Sequence, residues 1–232
     1  MKKRYLVILV AAILIIDQAL KIYIKTNYHL NTSTHVAGDW FQLYFVENPG
    51  MAYGWKFGGN WGKMALTIFR LLAVIFGTWY LGKIVREHYS RGFIICAGLI
   101  YAGALGNLID SCFYGLIFDK GMLYDPAVKD YVSYSGLAKF SNDGYASLLQ
   151  GNVVDMLYFP IINGRFPTWF PFWGGEDFEF FRPIFNIADA SISTGVIAIL
   201  LFQKSFFRQR NTEPEHRTVE TRARVDDDSQ VT

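Results

Sequence analysis

The stretch FNIADASISTG, Phe185–Gly195, places an Asn and an Asp three residues apart at the start of an apolar segment that runs to Phe207. Lipid excludes such polar groups, so this end of the segment must contact protein or water. Polar and ionisable residues also interrupt the other apolar segments of the chain. The arrangement of the apolar segments therefore sets both the fold and the position of a polar site.

Long apolar blocks dominate the chain, which has 232 residues and is 52% hydrophobic. A helix that spans a bilayer needs about 20 mainly apolar residues. Four segments reach this length: Tyr5–Ile24, Met64–Val85, Phe93–Tyr114 and Ile184–Phe207. We therefore predict an all-α membrane protein with four transmembrane helices in one domain, residues 1–210. Asp17 and the lack of a small-residue cleavage site indicate that the first segment is a retained helix.

Basic residues flank one end of each predicted helix. They are Lys2, Lys3 and Arg4, then Lys83, Arg86 and Arg91, and finally Lys204, Arg208 and Arg210. Because cytoplasmic flanks carry an excess of Lys and Arg, we expect both termini in the cytoplasm. The segments 25–63 and 115–183 are then external. Residues 211–232 are polar, charged and without periodicity, which predicts a disordered cytoplasmic tail.

Seven polar residues share the external half of the predicted helices. They are Asp17, Lys21, Arg70, Asn107, Asp110, Asn186 and Asp189. An ionisable group at the bilayer centre costs at least about 2.5 to 3.5 kcal/mol, so such residues are usually functional. Spacings of three or four place several of them on common helix faces. This convergence predicts a site open to the external side; the alternative is that these groups only join helices by hydrogen bonds.

Several kinds of chemistry are disfavoured. The net charge of +2 gives no reason to expect nucleic-acid binding. The chain has no HExxH motif, and its four histidines lie outside the predicted helices at spacings that make no metal set, so we expect no metal or other cofactor. The serines near the polar band have no histidine within plausible reach and no Gly-x-Ser-x-Gly motif.

A pair of aspartates remains as the catalytic candidate. One carboxyl group would hold a proton while the other acts as a base on water. Asp189 is one member, and Asp110, Asp119 and Asp155 are candidates for the other. The apolar flanks of Asp155, in VVDMLYF, favour it because an apolar setting raises the pKa of a general acid. Asp119 begins a polar stretch and is expected to face water.

Five blocks of the chain resemble motifs of the lipoprotein signal peptidases, the bacterial signal peptidase II family. In family order they are DQALK (17–21), ENPGMAYG (47–54), GALGNLID (103–110), VVDMLYF (153–159) and FNIADASISTG (185–195). The resemblance implies a membrane aspartic endopeptidase of the bacterial inner membrane. Such an enzyme removes the signal peptide of a prolipoprotein before a cysteine that carries diacylglycerol. It also implies membrane lipids as partners and inhibition by globomycin.

The resemblance also implies roles for individual residues and for the external segments. By position, Asp155 and Asp189 are the catalytic pair. Residues implied to hold the substrate backbone or globomycin are Asn48, Asn107 and Asn186. Residues implied to support the site are Asp17, Lys21, Gly50 and Asp110. The family fold adds a small external β-cradle, which suits the strand predicted at Trp40–Val46 and the turn at Asn48–Gly54. It further adds an interfacial loop or short helix after the third transmembrane helix.

Two departures from the family pattern raise hypotheses. Ser111 stands where the family usually has an arginine, and Arg70, at the same predicted depth, is our hypothesis for the missing cation. The usual family spacing from Asn107 would select Asp119 as the first catalytic aspartate. We prefer Asp155, which makes Lys120–Gly151 an external insertion and a candidate flap over the site.

Two other classes of function stay open on the sequence alone. In a proton-coupled transporter, Asp17, Asp110 and Asp189 would relay protons. A non-catalytic membrane protein that binds lipoproteins would need no aspartate pair. The external clustering of the carboxylates and the lack of internal repeats disfavour the transporter.

Overall fold

The structure is a computed structural model that describes residues 1, 3–50, 59–180 and 183–208. The tail predicted to be disordered, residues 211–232, lies outside the described residues. So do residues 51–54 of the predicted turn at Asn48–Gly54.

Four long helices form the body of the protein: α1 Lys3–Asn27, α2 Gly59–Arg86, α3 Arg91–Ile109 and α5 Ile187–Arg208. A π-helical turn, Asp110–Tyr114, and a short helix α4, Gly115–Ile117, continue α3. Four helical spans, within Lys3–Asn27, Trp61–Arg86, Arg91–Ile117 and Ile187–Phe206, are long and apolar enough to cross a membrane. The predicted four-helix membrane fold is therefore confirmed.

Helix α3 is central, because it packs against α1, α2 and α5. Small residues allow the close approach of α3 and α5: a Cβ on Gly103 would lie 2.2 Å from the carbonyl oxygen of Ala188. The outer helix faces carry exposed apolar side chains such as Val7, Phe69 and Leu201. These faces suit lipid, because a soluble protein rarely exposes such large apolar patches.

The helices alternate in direction along the chain. Each end of the bundle has its own apolar core. One core joins Leu6 of α1, Ile84 of α2, Phe93 of α3 and, at its margin, Phe206 of α5. The basic flanks of the four helices therefore lie at this end of the bundle. The other core contains Ile24, Phe45, Tyr114 and Val154 and surrounds the opposite, polar end.

A four-stranded antiparallel sheet caps the polar end. Its strands are β1 Ser33–Ala37, β2 Phe41–Asn48, β5 Val153–Tyr158 and β8 Ile184–Phe185, in the order β1-β2-β5-β8. Strand β2 matches the strand predicted at Trp40–Val46. The sheet also contains β5 and β8, so the chain that precedes α2 and the chain that precedes α5 build one cradle.

Two further hairpins lie between α4 and α5. Strands β3 Leu123–Asp125 and β4 Asp130–Val132 make one, and β6 Ile162–Arg165 and β7 Asp177–Phe180 make the other. Residues 118–180, all of which the structure describes, contain no helix. This segment is therefore a loop with hairpins and not a helix, because prolines and glycines interrupt it, and its position at the membrane interface stays a prediction.

The last helix begins later than the sequence predicts. Ile184 and Phe185 pair with Tyr158 and Leu157 of β5, and α5 starts only at Ile187. The opening residues of the apolar segment are thus shared between a strand and a helix. The junction between them lies at Asn186.

Candidate active site

The first turn of α5 explains why Asn and Asp stand three residues apart. Asn186 directly precedes the helix, and its side-chain Oδ1 accepts a hydrogen bond from the backbone N–H of Asp189 at 2.9 Å. Asp189 Oδ2 in return accepts from the N–H of Asn186 at 3.4 Å. This reciprocal arrangement is a capping box, which satisfies amide groups that a helix start leaves unpaired. The capping box also fixes the position of the Asp189 carboxylate.

Asp155 reaches the same point from strand β5. Its Oδ1 accepts a hydrogen bond of 2.6 Å from Nδ2 of Asn186, so Asn186 contacts both aspartates. The register pairs Asp155 with Val46 of β2 in the middle of the cradle. Asp155 is only 4% exposed. Burial, and next the negative charge of Asp189, raise the pKa of the Asp155 carboxyl well above its usual range.

Asn107 of α3 joins the two halves of the site. Its Nδ2 donates to Asp189 Oδ1 at 2.7 Å, and its Oδ1 accepts from Lys21 Nζ at 2.9 Å and from Asn186 Nδ2 at 3.1 Å. This pattern uses both donor and acceptor atoms of the amide. The orientation of Asn107 is therefore determined by its neighbours.

A buried ion cluster lies beneath the two aspartates. Lys21 Nζ is 2.9 Å from Asp17 Oδ2 and 2.7 Å from Asp110 Oδ2, and all three side chains are at most 1% exposed. Asp17 Oδ1 also accepts from the N–H of Ala188, in the first turn of α5, at 2.9 Å. The cluster therefore connects α1, α3 and α5 through charge-assisted hydrogen bonds.

The π-helical turn brings Asp110 to strand β5. Asp110 Oδ2 accepts from the backbone N–H of Val154 at 3.3 Å, and Oδ1 accepts from Gln18 Nε2 at 2.8 Å. Gln18 in turn accepts a hydrogen bond of 3.1 Å from the Tyr114 hydroxyl. Local π-helical turns often occur at functional sites. Here the turn places a carboxylate against the residue that precedes Asp155.

Arg70 of α2 contacts the position where the family motif has an arginine. Its Nη1 donates to Ser111 Oγ at 2.9 Å, and Ser111 Oγ donates to the carbonyl oxygen of Asn107 at 2.8 Å. The guanidinium group is half-buried and interacts electrostatically with Asp189, Asp110 and Asp155. The structure thus brings Arg70 to the edge of the aspartate pair.

The sequence also singled out Asn48, Gly50 and Asp119. Asn48, at the end of β2, uses its Oδ1 to accept from the N–H of Gly50 at 2.9 Å. Gly50 has φ +106°, a conformation that favours glycine. Asp119 accepts from the N–H of Lys139 at 2.7 Å and stabilises a loop. Asp155, and not Asp119, is therefore the aspartate that contacts Asn186.

Sequence patterns did not single out several polar residues that surround the site. Lys25, Glu47, Lys63 and Asn152 are buried, and Gln18 is half-buried. Two signals were available: Lys25 continues the four-residue spacing of Asp17 and Lys21, and Glu47 precedes Asn48 within a quoted motif. Among the described residues, no group of three or more His, Cys, Asp or Glu side chains is arranged to hold a metal ion.

The arrangement can activate water without a metal. One carboxyl group is buried and has a raised pKa, and its partner is half-buried and accepts hydrogen bonds that suit an anion. This pair lies at one end of a four-helix bundle whose spans are long and apolar enough to cross a membrane. The profile described as signal peptidase (SPase) II matches residues 9–206, so the chain belongs to the signal peptidase II family and is a peptidase.

Similar proteins agree with this assignment. A lipoprotein signal peptidase of Porphyromonas gingivalis is 45% identical over 83% of this chain and 80% of its own length. One of Amoebophilus asiaticus is 33% identical over 84% of this chain and 75% of its own length. A solved bacterial membrane enzyme shares the fold with a TM-score of 0.55 at 22% identity, covering 91% of this chain and 93% of the other.

We predict that Lys21→Met strongly destabilises the protein. The substitution leaves Asp17 and Asp110 as buried carboxylates without their cation, a change that costs about 3 to 5 kcal/mol. The matched control is Lys83→Met, because the Lys83–Glu87 pair is 4.0 Å apart and exposed, and such pairs contribute only about 0 to 1 kcal/mol. Denaturant unfolding of the purified proteins in detergent measures both effects. Equal losses for the two variants would contradict the prediction.

Proposed function

We propose that this chain is an aspartic endopeptidase that removes the signal peptide from diacylglyceryl-modified prolipoproteins, cutting before the lipidated cysteine. The observation that carries the proposal is the contact of Asp155 and Asp189 with the same residue, Asn186. Membership in the signal peptidase II family, and relatives named lipoprotein signal peptidase, support the substrate.

The two aspartates have different environments and therefore different roles. Asp155 is buried and its pKa is raised, so it holds the proton and acts as general acid. Asp189 accepts from the amides of Asn107 and Asn186 at the start of α5, which suits an anion that acts as general base. Asp189 takes a proton from water, and the oxygen of that water attacks the scissile carbonyl carbon.

The tetrahedral intermediate then collapses. The amide nitrogen accepts a proton from the dyad as the C–N bond breaks, which gives the signal peptide a carboxyl terminus and the lipidated cysteine a free amine. Water supplies one proton to the dyad and the dyad returns one to the leaving amine, so its protonation is restored. Hydrogen-bond donors that are held in place and shielded from water stabilise the charge that develops in the transition state of this reaction.

Three asparagines are proposed to orient the substrate. Asn107 and Asn186 already lie against the aspartates, and Asn48 is the last residue of β2. The diacylglycerol chains of the substrate remain among the membrane lipids while the peptide enters sideways between the bundle and the cradle. Globomycin is proposed to inhibit by occupying the same site.

The orientation in the membrane follows from the basic residues. They flank the helix ends that share one apolar core, and the aspartates lie at the opposite end. The positive-inside rule then places both termini in the cytoplasm. The site is accordingly proposed to face the external side of the bacterial inner membrane.

Arg70 is proposed to supply positive charge to the site. Its guanidinium group interacts with both aspartates and is held by Ser111. A cation at this edge stabilises the anionic member of the pair and the negative charge that develops on the scissile carbonyl oxygen. Lys21 is the other nearby cation, but Asp17 and Asp110 already neutralise it.

We expect the purified protein to cleave a diacylglyceryl-modified prolipoprotein in detergent, and globomycin to block the reaction. Cleavage is followed by the mass of the released signal peptide. A transporter or a lipoprotein-binding scaffold would leave the prolipoprotein intact, and that outcome would refute the proposed function. An unlipidated prolipoprotein is the control for the requirement for diacylglycerol.

We expect Asp155→Asn and Asp189→Asn each to abolish turnover, because neither amide can transfer the proton that its carboxyl group transfers. Loss of a general acid or base costs about 100- to 10,000-fold. The matched control is Asp119→Asn, which should retain activity because Asp119 only binds the amide of Lys139. If the Asp119 variant alone were inactive, the choice of Asp155 would be wrong.

The pH dependence of kcat follows from the raised pKa of Asp155. The carboxyl group must be protonated to act as acid, so activity is lost as pH rises through its pKa. An ordinary Asp titrates near pH 3.9, and we expect the alkaline limb well above this value. The unfolding temperature, measured over the same range, distinguishes titration from unfolding. An alkaline limb near pH 4 would contradict the assignment.

We expect Arg70→Ala to lower kcat by about tenfold or more, as removal of a charge-stabilising group commonly does. The double variant Arg70→Ala/Ser111→Arg returns a guanidinium group to the same place from the π-helical turn and should recover part of the activity. Arg86→Ala, at the opposite end of α2, is the control. An Arg70→Ala enzyme with the activity of the unmodified protein would exclude this role.

A further inference from the structure

A second buried ionic cluster lies beside the proposed active site and has no assigned role. Lys25 Nζ contacts Glu47 Oε1, and both side chains are 0% exposed. Glu47 accepts three more hydrogen bonds, from the Tyr134 hydroxyl at 2.8 Å, the N–H of Met122 at 2.9 Å and Asn152 Nδ2 at 2.7 Å. A buried carboxylate with four donors is strongly held.

The segment between α4 and β5 supplies most of this cluster. Lys25 Nζ lies 5.1, 5.5 and 5.2 Å from the ring centroids of Phe118, Tyr134 and Tyr145, all in residues 118–152. Cation–π contacts of this kind stabilise a desolvated ammonium group. The same segment places Asn152 Oδ1 against the ammonium group of Lys63 from α2. The insertion is therefore bound to α1, α2 and β2 through buried charges.

The backbone connects Asn152 of the cluster to Asp155, three residues further along the chain. Asn152 binds Glu47, and Val153 and Val154 pair with Asn48 and Glu47 of β2. Gly151 donates its N–H to the carbonyl oxygen of Ser111 at 2.8 Å. A Cβ on Gly151 would lie 2.0 Å from the carbonyl oxygen of Asp110, so glycine is needed for this approach. Each residue from 151 to 155 is thus held by a neighbouring element.

The cluster also continues the charge pattern of α1. Asp17, Lys21 and Lys25 follow at intervals of four and therefore share one face of the helix. Lys21 pairs with carboxylates beneath the aspartate pair, and Lys25 pairs with Glu47 one turn further along. One helix face thus supports both the site and the strand pair that carries Asn48 and Asp155.

We propose that Glu47 is a positioning residue for Asp155, held by Lys25 and the 118–152 segment, and that this segment is a fixed wall of the site rather than a flap. The inference rests on the proposed function, because it assigns Glu47 to the same reaction. Loss of the Glu47 charge leaves Lys25 uncompensated in a buried position, so β2 and β5 must shift to solvate it. Asp155 then loses its alignment with Asn186.

The test compares kinetics of Glu47→Gln and Tyr134→Phe with those of matched controls. We expect Glu47→Gln to lower kcat by about tenfold or more with KM within about twofold, since a displacement of 1 Å can cost about 100-fold in rate. Tyr134→Phe removes one hydrogen bond to Glu47 and should lower kcat by about threefold while the fold is retained. The controls are Glu87→Gln, in an exposed ion pair, and Tyr124→Phe, in the same external segment; both should match the unmodified enzyme.

Hydrogen exchange of the unmodified protein tests the fixed wall directly. We expect the amides of Met122, Gly151 and Asn152 to exchange as slowly as those of β5, and Tyr134→Phe to accelerate them. If Glu47→Gln does not fold, the Tyr134 variant decides the kinetic question.

The outcomes are distinct. Failure of the unmodified protein to cleave prolipoprotein refutes the proposed function. Cleavage with unchanged kcat in Tyr134→Phe and in a folded Glu47→Gln overturns the positioning role alone. A change confined to KM, or a loss of activity equal to the loss of folded protein, also overturns it. Fast hydrogen exchange of the backbone amides across residues 118–152 would overturn the proposal that this segment is a fixed wall of the site.

Discussion

The polar end of the bundle depends on the ion pairs that the buried ammonium group of Lys21 forms. It lies between Asp17 and Asp110, and each carboxylate uses its remaining capacity to bind another element, the start of α5 or the backbone of β5. Such a triad is costly to desolvate and becomes tolerable only when every charge is paired and hydrogen-bonded. The same pairing that permits charges at this depth therefore also holds the helices and the sheet in place.

Asn186 connects this framework to the two proposed catalytic aspartates. It ends the cradle, caps α5 and contacts both Asp155 and Asp189. The two carboxyl groups differ in environment, because Asp155 lies on a buried strand and Asp189 is half-buried in the first turn of a helix. In the proposed mechanism, this asymmetry divides the acid and base roles between the two carboxyl groups.

The segment 118–152 contributes contacts to the polar end of the bundle. The segment 118–152 separates Asp110 from Asp155 in sequence, yet both of its ends return to the π-helical turn, and its tyrosines surround Lys25. Within the bundle, α2 likewise places the Arg70 cation beside Ser111 of the π-helical turn.

Periodicity and polarity in the sequence alone predicted four membrane helices, the polar depth band and the strand at β2, because these signals are local. Motif resemblance proposed Asp155 and Asp189. Only the tertiary structure decided that Asp155, and not Asp119, contacts Asn186, that Arg70 meets Ser111, and that Glu47 pairs with Lys25. Those contacts join residues that are far apart in sequence. The partner of a buried charge depends on which element packs against it, and a local sequence pattern contains no information about that packing.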